Sequence, residues 1–119
     1  MKLTDAEWSV LNALWANERL SLKELTEKLK PIQNWSNKTV FTYLTRMEAK
    51  GLISIDRTHT RPYSAAVSRE DCARWERTEL CAKVYNGAAG DMIAAFIKES
   101  AISQKEIQRL KQLLTDMEV

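Results

Sequence analysis

The sequence predicts a mostly α-helical protein with a small β-wing, a pair of short strands, near its middle. Apolar residues recur every three or four positions through most of the 119 residues, which is the period of an amphipathic helix. Residues 53–57 and 62–67 instead alternate between apolar and polar side chains, as strands do, with a polar, turn-like segment at residues 58–61 between them. Serine or threonine followed three residues later by glutamate marks several helix starts. Together these signals predict three helices, the wing and a helical tail.

Two short helices are predicted before residue 31. Thr4–Glu7 is a capping box, in which Thr4 caps the helix and Glu7 bonds back to it. The apolar face that follows consists of Trp8, Val10, Leu11, Leu14 and Trp15. A second capping box, Ser21–Glu24, starts a helix that ends before Pro31, because a residue before proline avoids helical geometry.

A third helix, residues 36–50, has one apolar and one basic face. Ser36 is a capping residue, and Gly51 is a common helix stop. The apolar sector contains Val40, Phe41, Tyr43, Leu44 and Met47. The other face contains Lys38, Thr39, Thr42, Thr45, Arg46, Ala49 and Lys50. Glu48, the one acid of the helix, is expected away from the basic face. Because arginine pairs with guanine and threonine contacts thymine methyls or phosphates, this face suits DNA, and an ordinary solvated face is the alternative.

Residues 53–67 are predicted to form the wing. The residues expected on one side of it are Ile53, Ile55, Tyr63, Ala65 and Val67. Pro62 stands at a strand start, where proline is tolerated. His59, at the wing tip, is expected to be solvent-exposed or to contact a phosphate. Three helices followed by a wing make residues 1–67 a winged helix-turn-helix DNA-binding domain, in which the third helix enters the major groove.

Residues 68–119 are predicted to be helical throughout and to form a dimerisation region. The segment is too short to enclose a core of its own well, so pairing with a second copy would bury its apolar faces. The residues assigned to that interface are Trp75, Val84, Met92, Ile93, Phe96, Ile97, Ile107, Leu110, Leu113 and Leu114. Packing of this segment onto the first three helices is the alternative.

The charge distribution agrees with this division. Residues 1–67 carry ten basic and seven acidic side chains, a net +3, and residues 68–119 carry eight and nine, a net −1. A basic part beside a near-neutral part fits nucleic-acid binding combined with a protein interface. No apolar run approaches the roughly 20 residues that span a membrane, and no signal sequence is evident. A cytoplasmic protein without a membrane partner is therefore expected.

No catalytic, metal or cofactor site is predicted. The sequence contains no nucleophile–base pair, Gly-rich phosphate loop or metal-ligand cluster. Cys72 and Cys81 are nine positions apart on one predicted helix, so they point to opposite sides and cannot share a metal. Free thiols are expected.

Several motifs give the chain a resemblance to a known family. The opening motif is Leu3-Thr4-Asp5-Ala6-Glu7-Trp8, with Leu14-Trp15 after it, and the central motif is Trp35-Ser36 with Lys38-Thr39-Val40. Further matches are Thr42-Tyr43-Leu44, Arg46-Met47, Lys50-Gly51-Leu52-Ile53, Val67-Ser68-Arg69-Glu70 and Gly87. Across all 119 residues the chain resembles the penicillinase-repressor family, which includes β-lactamase, methicillin-resistance and copper-transport repressors.

The resemblance implies a homodimeric repressor that binds an inverted repeat with half-sites like TACA and TGTA and blocks polymerase. The family's base-contacting positions correspond to Lys38, Thr39, Thr42 and Arg46. The residues expected to contact the DNA backbone are Trp35, Ser36, Lys50, Arg57, His59 and Arg61. A protein-interaction module and a non-specific DNA-binding protein stay open as alternatives.

Three departures from the family pattern limit what the resemblance implies. Some members are cleaved at an Asn-Phe bond when a sensor-protease system is triggered, but Ala95-Phe96 stands at that place here. Induction by cleavage is therefore not expected, although a sensor-protease partner stays an alternative. No cysteine follows Cys81, so the copper site of the copper-transport repressors is not expected. The wing also lacks the glycine usual at its tip.

Overall fold

The computed structural model describes residues 2–118, which form six helices and one antiparallel sheet of two strands. In chain order the elements are α1 Asp5–Ala16, α2 Leu22–Leu29, α3 Asn37–Ala49, β1 Ile53–Ile55, β2 Tyr63–Ala65, α4 Arg69–Tyr85, α5 Ala89–Glu99 and α6 Gln104–Met117. The chain divides within α4 into two compact units, unit 1 up to Arg77 and unit 2 from Thr78. The mostly helical class with a small wing is confirmed. The functional boundary between residues 67 and 68 stays a prediction.

The first two helices begin at the predicted capping boxes. The Glu7 N–H donates to Thr4 Oγ1 at 3.2 Å, and the Thr4 N–H donates to Glu7 Oε1 at 2.9 Å. Ser21 and Glu24 repeat the arrangement at 3.2 and 3.0 Å. Each box satisfies two backbone N–H groups near the start of the helix, with partners no more than three residues apart.

A left-handed glycine connects α3 to the wing. Gly51 has a φ of +77°, a conformation that residues with a Cβ rarely adopt. Its N–H donates to the Glu48 carbonyl at 3.0 Å, and the Leu52 N–H donates to the Met47 carbonyl at 2.9 Å. This is the Schellman pattern of helix termination. The turn brings Leu52 into the core and leads the chain directly into β1.

The wing has the predicted orientation and one additional strand contact. Its strands pair Ile53 with Ala65 and Ile55 with Tyr63, so the predicted apolar side chains share one side. Leu20, between α1 and α2, also pairs with Tyr63. The Leu20 N–H donates to the Tyr63 carbonyl at 3.0 Å, and the Tyr63 N–H donates to the Leu20 carbonyl at 3.1 Å. These two bonds attach the wing to the α1–α2 connection.

The wing tip turns without a glycine because Asp56 organises it. The Thr58 N–H and hydroxyl both donate to Asp56 Oδ1, at 3.1 and 2.6 Å, and the His59 N–H donates to the Asp56 carbonyl at 3.1 Å. An aspartate that bonds to the backbone two residues later is a common turn former. Within residues 56–62 no φ is positive, so the turn does not require glycine.

The core of unit 1 extends into the first turns of α4. Cys72 is fully buried, and Trp75 packs against the core. Trp8 Nε1–H donates to Glu76 Oε1 at 3.1 Å, and Trp15 Nε1–H donates to the Val67 carbonyl at 2.9 Å. The start of α4 therefore belongs to the same packed unit as the three helices and the wing.

Unit 2 contains α5, α6 and the end of α4. Asn86 and Gly87 have φ values of +51° and +84° and end α4 at the predicted stop. Between residues 78 and 118 no side chain is buried. The apolar residues of α5 and α6 therefore lack the enclosed core that unit 1 has.

A buried ion pair connects the beginning of α1 to the end of α3. The Glu7 side chain is only 5% exposed, and Lys50 Nζ donates to its Oε2 at 2.7 Å. Burial alone would raise the pKa of the Glu7 carboxyl. The hydrogen bonds and charge of Lys50 and the bonds to Thr4 outweigh burial and lower that pKa below its usual range.

The lowered pKa makes this contact sensitive to acid. Glu7 stabilises the folded chain above the ordinary glutamate pKa of about 4.3, and that stability is lost as the pH falls through the lower folded pKa. We expect Glu7→Gln to reduce the free energy of unfolding by about 1–3 kcal/mol at pH 7.

Urea unfolding of both chains between pH 7 and pH 3 measures this effect. The difference between wild type and Glu7→Gln should shrink below about pH 4.3, because glutamine does not titrate. Glu27→Gln, at an exposed position of α2, is the matched control and should stay close to wild type. A difference that is constant with pH would contradict a carboxylate held ionised by Lys50.

Candidate nucleic-acid interface

The exposed face of α3 carries a row of polar side chains that the sequence predicts to contact bases. The buried side of the helix consists of Val40, Leu44 and Met47. Lys38, Thr42 and Arg46 follow one another at intervals of four residues and are all exposed. Residues at this spacing are neighbours on a helix surface, so they form one row, named here the polar row.

A second exposed row lies beside the polar row and consists of Phe41, Thr45 and Ala49. The apolar sector of the sequence included Phe41, but its side chain is 52% exposed. Phe41 stands at the edge of that sector, about 100° around the helix from its buried neighbour Val40. The edge of an apolar sector cannot be assigned to core or surface from periodicity alone, and Phe41 is the surface residue that sequence reasoning missed.

The N-terminus of α3 is held by a cap and an aromatic stack. Ser36 Oγ accepts from the Thr39 N–H at 3.2 Å, and the Ser36 hydroxyl donates to Thr39 Oγ1 at 3.2 Å. Trp35 stacks on Tyr43, with ring centroids 4.7 Å apart and an interplanar angle of 27°. Thr39 is half-buried beside this cap, so it is less accessible than the three residues of the polar row.

The threonine hydroxyls on α3 are bonded to the helix itself. The Thr42 hydroxyl donates to the Lys38 carbonyl at 3.0 Å, and the Thr45 hydroxyl donates to the Phe41 carbonyl at 3.0 Å. Each oxygen keeps lone pairs that can accept a bond, and each side chain keeps its methyl group. Towards a ligand, these threonines offer an acceptor and an apolar contact.

Two cations of α3 stay without an acidic partner. Over residues 2–118, neither Lys38 nor Arg46 forms an ion pair. Lys50, at the end of the helix, is held by Glu7, although half of its side chain is exposed. The unpaired positive charge of the helix therefore lies in the polar row.

The basic side chains of the wing are each held by a carboxylate. Arg57 Nη1 and Nη2 donate to the two oxygens of Glu48 at 3.3 and 3.2 Å, and this contact raises the pKa of Arg57. Arg61 Nε donates to Glu24 Oε1 at 3.0 Å. Glu48 lies off the basic face as predicted, but its pairing with the wing was not anticipated. The contact joins the wing to α3 by an ion pair.

Two further contacts at the wing also escaped the sequence analysis. The Arg19 guanidinium donates to the carbonyls of Arg61 and Pro62 at 2.8 and 3.0 Å. His59 Nδ1 accepts from the Arg61 N–H at 2.9 Å, and the ring is exposed at the tip. The Arg19 contacts join residues more than forty positions apart, which leave no local signal in the sequence. The His59 contact lies within the wing tip, two residues apart.

In unit 2, most residues assigned to dimerisation are exposed. The exposed members, each 47–62% accessible, are Val84, Ile93, Phe96, Ile97, Leu113 and Leu114. Met92, Ile107 and Leu110 are half-buried. Trp75 lies instead in unit 1 and packs against its core, so part of its apolar surface is already covered within the chain.

The remaining sequence expectations concern metals, thiols and membranes. Cys72 and Cys81 are both free, the first buried and the second half-buried. Burial raises the pKa of the Cys72 thiol, which keeps it protonated and unreactive. Residues 2–118 contain no group of three acidic, histidine or cysteine side chains that could hold a metal. In the same range no helix combines the length and apolar character needed to cross a bilayer.

Comparison with known proteins identifies the family. The sequence profile described as "Penicillinase repressor" matches residues 3–116, nearly the whole chain. The chain belongs to the penicillinase repressor family. Members of this family are DNA-binding transcriptional repressors, so the chain is a DNA-binding repressor and not an enzyme.

Curated relatives match over almost the same length. The methicillin resistance regulatory protein MecI of Mammaliicoccus sciuri is 28% identical over 114 residues, which cover 95% of this chain and 93% of the relative. The penicillinase repressor of Staphylococcus aureus is 25% identical over 118 residues, 98% of this chain and 94% of the relative. The similarity therefore includes both units.

Solved structures agree with a winged-helix fold. The solution structure of monomeric BlaI from Bacillus licheniformis, in complex with the blaP half-operator, matches with a TM-score of 0.51 and 26% identity. That match covers 60% of this chain and 88% of the BlaI chain. A MarR family protein from Bacillus stearothermophilus, at 19% identity and a TM-score of 0.52, supports the fold alone.

Proposed function

We propose that the chain represses transcription as a homodimer that binds an inverted-repeat operator. Each protomer places α3 in the major groove of one half-site and rests its wing, residues 53–67, on the DNA backbone. The single observation that supports this best is the polar row, because its two cations have no acidic partner among residues 2–118. Unpaired cations beside accepting hydroxyls are suited to base edges and phosphates.

In this proposal the base contacts come from Lys38, Thr39, Thr42 and Arg46. Arg46 can donate two parallel hydrogen bonds to a guanine, which its unpaired guanidinium leaves available. Thr42 can accept from a base or contact a thymine methyl, since its hydroxyl proton is bonded within the helix. Thr39 lies at the cap, near where the first turn of the helix would meet the groove. The structure of BlaI in complex with a half-operator, a protein with a similar fold, supports operator DNA as the partner.

The backbone contacts are proposed to come from the cap of α3 and from the wing. The residues are Trp35, Ser36, Lys50, Arg57, His59 and Arg61. Arg57 and Arg61 must exchange a carboxylate for a phosphate on binding, because each is paired in the unbound chain. After the exchange, the phosphate compensates the charge of the arginine, and the released glutamate side chain faces solvent. Lys50 can keep its bond to Glu7, because its half-exposed ammonium has further N–H donors for a phosphate.

The second copy is proposed to pair through unit 2. No side chain in residues 78–118 is buried, although α5 and α6 carry regularly spaced apolar residues. An inverted repeat has two-fold symmetry, which a symmetric dimer matches. Half-sites resembling TACA and TGTA, with centres about 10 bp apart, would place both copies of α3 on one side of the duplex.

Repression is proposed to be steric, in the cytoplasm, where the chromosomal operator lies. Ala95-Phe96 lies within α5 and replaces the Asn-Phe bond at which some relatives are cleaved. We therefore propose that cleavage at this position does not relieve repression, and we assign no sensor-protease partner.

The test of the proposed function is selection from random duplexes at moderate salt. Wild type should recover an inverted repeat with TACA-like arms. Arg46→Ala should lose about 1–3 kcal/mol of affinity for that operator and accept other bases at one position of each half-site. Arg57→Ala is the matched control and should weaken operator and random DNA equally, because a phosphate contact carries no sequence information.

Two outcomes would contradict the proposal. Salt-sensitive binding without any recovered motif would indicate a non-specific DNA-binding protein. Absence of DNA affinity even at low salt would indicate a protein-interaction module.

The ion pair between Glu48 and Arg57 gives a second prediction. Glu48→Gln should strengthen binding to both operator and random DNA severalfold at low salt, because Arg57 no longer has to leave a carboxylate. Fluorescence anisotropy over a salt series measures the change. Glu70→Gln, which frees Arg77 from a comparable 2.8 Å pair on α4, is the control and should leave DNA affinity unchanged. Equal effects of the two variants would mean that only net charge matters.

Sedimentation equilibrium tests the dimer. Wild type should be dimeric at micromolar concentration, and Leu113→Glu should be monomeric, because a charge would replace a side chain buried between copies. Ile32→Glu changes an equally exposed apolar residue of unit 1 and should stay dimeric. A monomeric wild type would contradict pairing through unit 2.

A further inference from the structure

Phe41 is an aromatic side chain that the fold of unit 1 leaves about half exposed. In residues 2–77, the large apolar side chains that stay exposed are Ile32 and Phe41. Ile32 lies between two helices, whereas Phe41 is on the outward side of α3 beside the polar row. An aromatic ring exposed to water does not contribute the free energy that its burial would give. The exposed ring of Phe41 is therefore suited to contact an apolar group of a partner that binds this face of α3.

The neighbours of Phe41 along the helix extend its apolar surface. Phe41, Thr45 and Ala49 are spaced by four residues and form a second row, named here the apolar row. The Thr45 hydroxyl is turned to the Phe41 carbonyl at 3.0 Å, so its methyl group is the part left for a partner. Ala49 adds a methyl one turn further on. This row carries no charged group.

Only one group in the major groove of DNA is apolar, the 5-methyl of thymine. The polar row contacts bases mainly through hydrogen bonds, and the methyl group of Thr42 is a much smaller apolar surface than the ring of Phe41. We propose that the apolar row, with Phe41 as its main contact, selects thymine in each operator half-site. This inference rests on the proposed binding of α3 in the major groove and adds a specificity-determining residue to it.

Selection from random duplexes by wild type and by Phe41→Ala is the first test. Both chains should recover the same inverted repeat, but Phe41→Ala should lose the preference for thymine at one position in each half-site. Ile32→Ala removes an equally exposed apolar side chain outside α3, so it should keep that preference. An unchanged motif for Phe41→Ala would overturn the inference.

Uracil substitution then isolates the methyl group, because uracil differs from thymine only by its absence. One thymine of the recovered operator is replaced at a time. At the contacted thymine of one half-site, uracil should weaken wild-type binding about fourfold, the factor expected for one buried methyl-sized group. Phe41→Ala should bind the thymine and uracil duplexes equally. Phe41→Leu retains apolar surface and should keep part of the response.

The outcomes separate this inference from the proposed function. If uracil weakens wild type and Phe41→Ala equally at every thymine, another residue detects the methyl and the inference is wrong. If Phe41→Ala loses affinity uniformly while its motif is unchanged, Phe41 does not determine specificity. If wild type recovers no motif, the proposed operator binding itself fails, and the inference fails with it.

Discussion

The carboxylate of Glu7 connects the first and third helices of unit 1, and the orientation of α3 depends on this contact. One of its oxygens caps α1, and the other accepts from Lys50 at the end of α3. A buried charge is tolerated only when it is paired and hydrogen-bonded. If Lys50 moved away, the Glu7 carboxylate would stay buried without a compensating positive charge. The opposite end of α3 is held by the stack of Trp35 on Tyr43. A helix held at both ends presents its polar and apolar rows in a defined position, as base-edge contacts require.

Pairing within the chain also determines where positive charge is available. Three of the cations proposed to contact the DNA backbone already have a carboxylate partner: Lys50, Arg57 and Arg61. Non-specific affinity for DNA comes from neutralised phosphates, so pairing these side chains internally weakens binding to any duplex. Within residues 2–118 the two cations of the polar row have no ion-pair partner, so they break no such contact when they bind. Because a repressor is useful in proportion to the ratio of specific to non-specific affinity, this distribution favours selectivity over strength.

The features that could be predicted from the sequence are those with local causes. The caps at Thr4, Ser21 and Ser36 involve partners three residues away, and the glycine that ends α3 acts on its own turn. The alternation of apolar and polar residues likewise predicts the wing and its apolar side. The polar row followed from helical period, and the resemblance to the penicillinase repressors assigned the same positions to base contact. That assignment stays a prediction.

What the sequence could not supply depends on tertiary contact. Leu20 joins the wing through two backbone bonds that any residue could make, so its side chain carries no signal. The attachment of Arg19 to the wing tip links positions about forty residues apart. Phe41 was assigned to the apolar sector because hydrophobicity and burial usually coincide. A residue at the edge of an apolar helix sector can be hydrophobic and yet exposed. On a surface proposed to bind DNA, such a residue indicates a contact with the partner.

Residues 78–118 contain no buried side chain, and the proposed pairing of two copies through this segment affects how strongly the protein binds DNA. Docked as proposed, a single α3 offers two short rows of three side chains, enough for only a few base pairs. Specific affinity then requires a second α3 at a defined distance, and joining two copies multiplies their separate affinities through effective concentration. In the proposed dimer, the second copy covers the apolar surface of α5 and α6, which couples the stability of unit 2 to protein concentration. Under that proposal, operator occupancy should fall more steeply with dilution than single-site binding would, because the dimer dissociates as the operator empties.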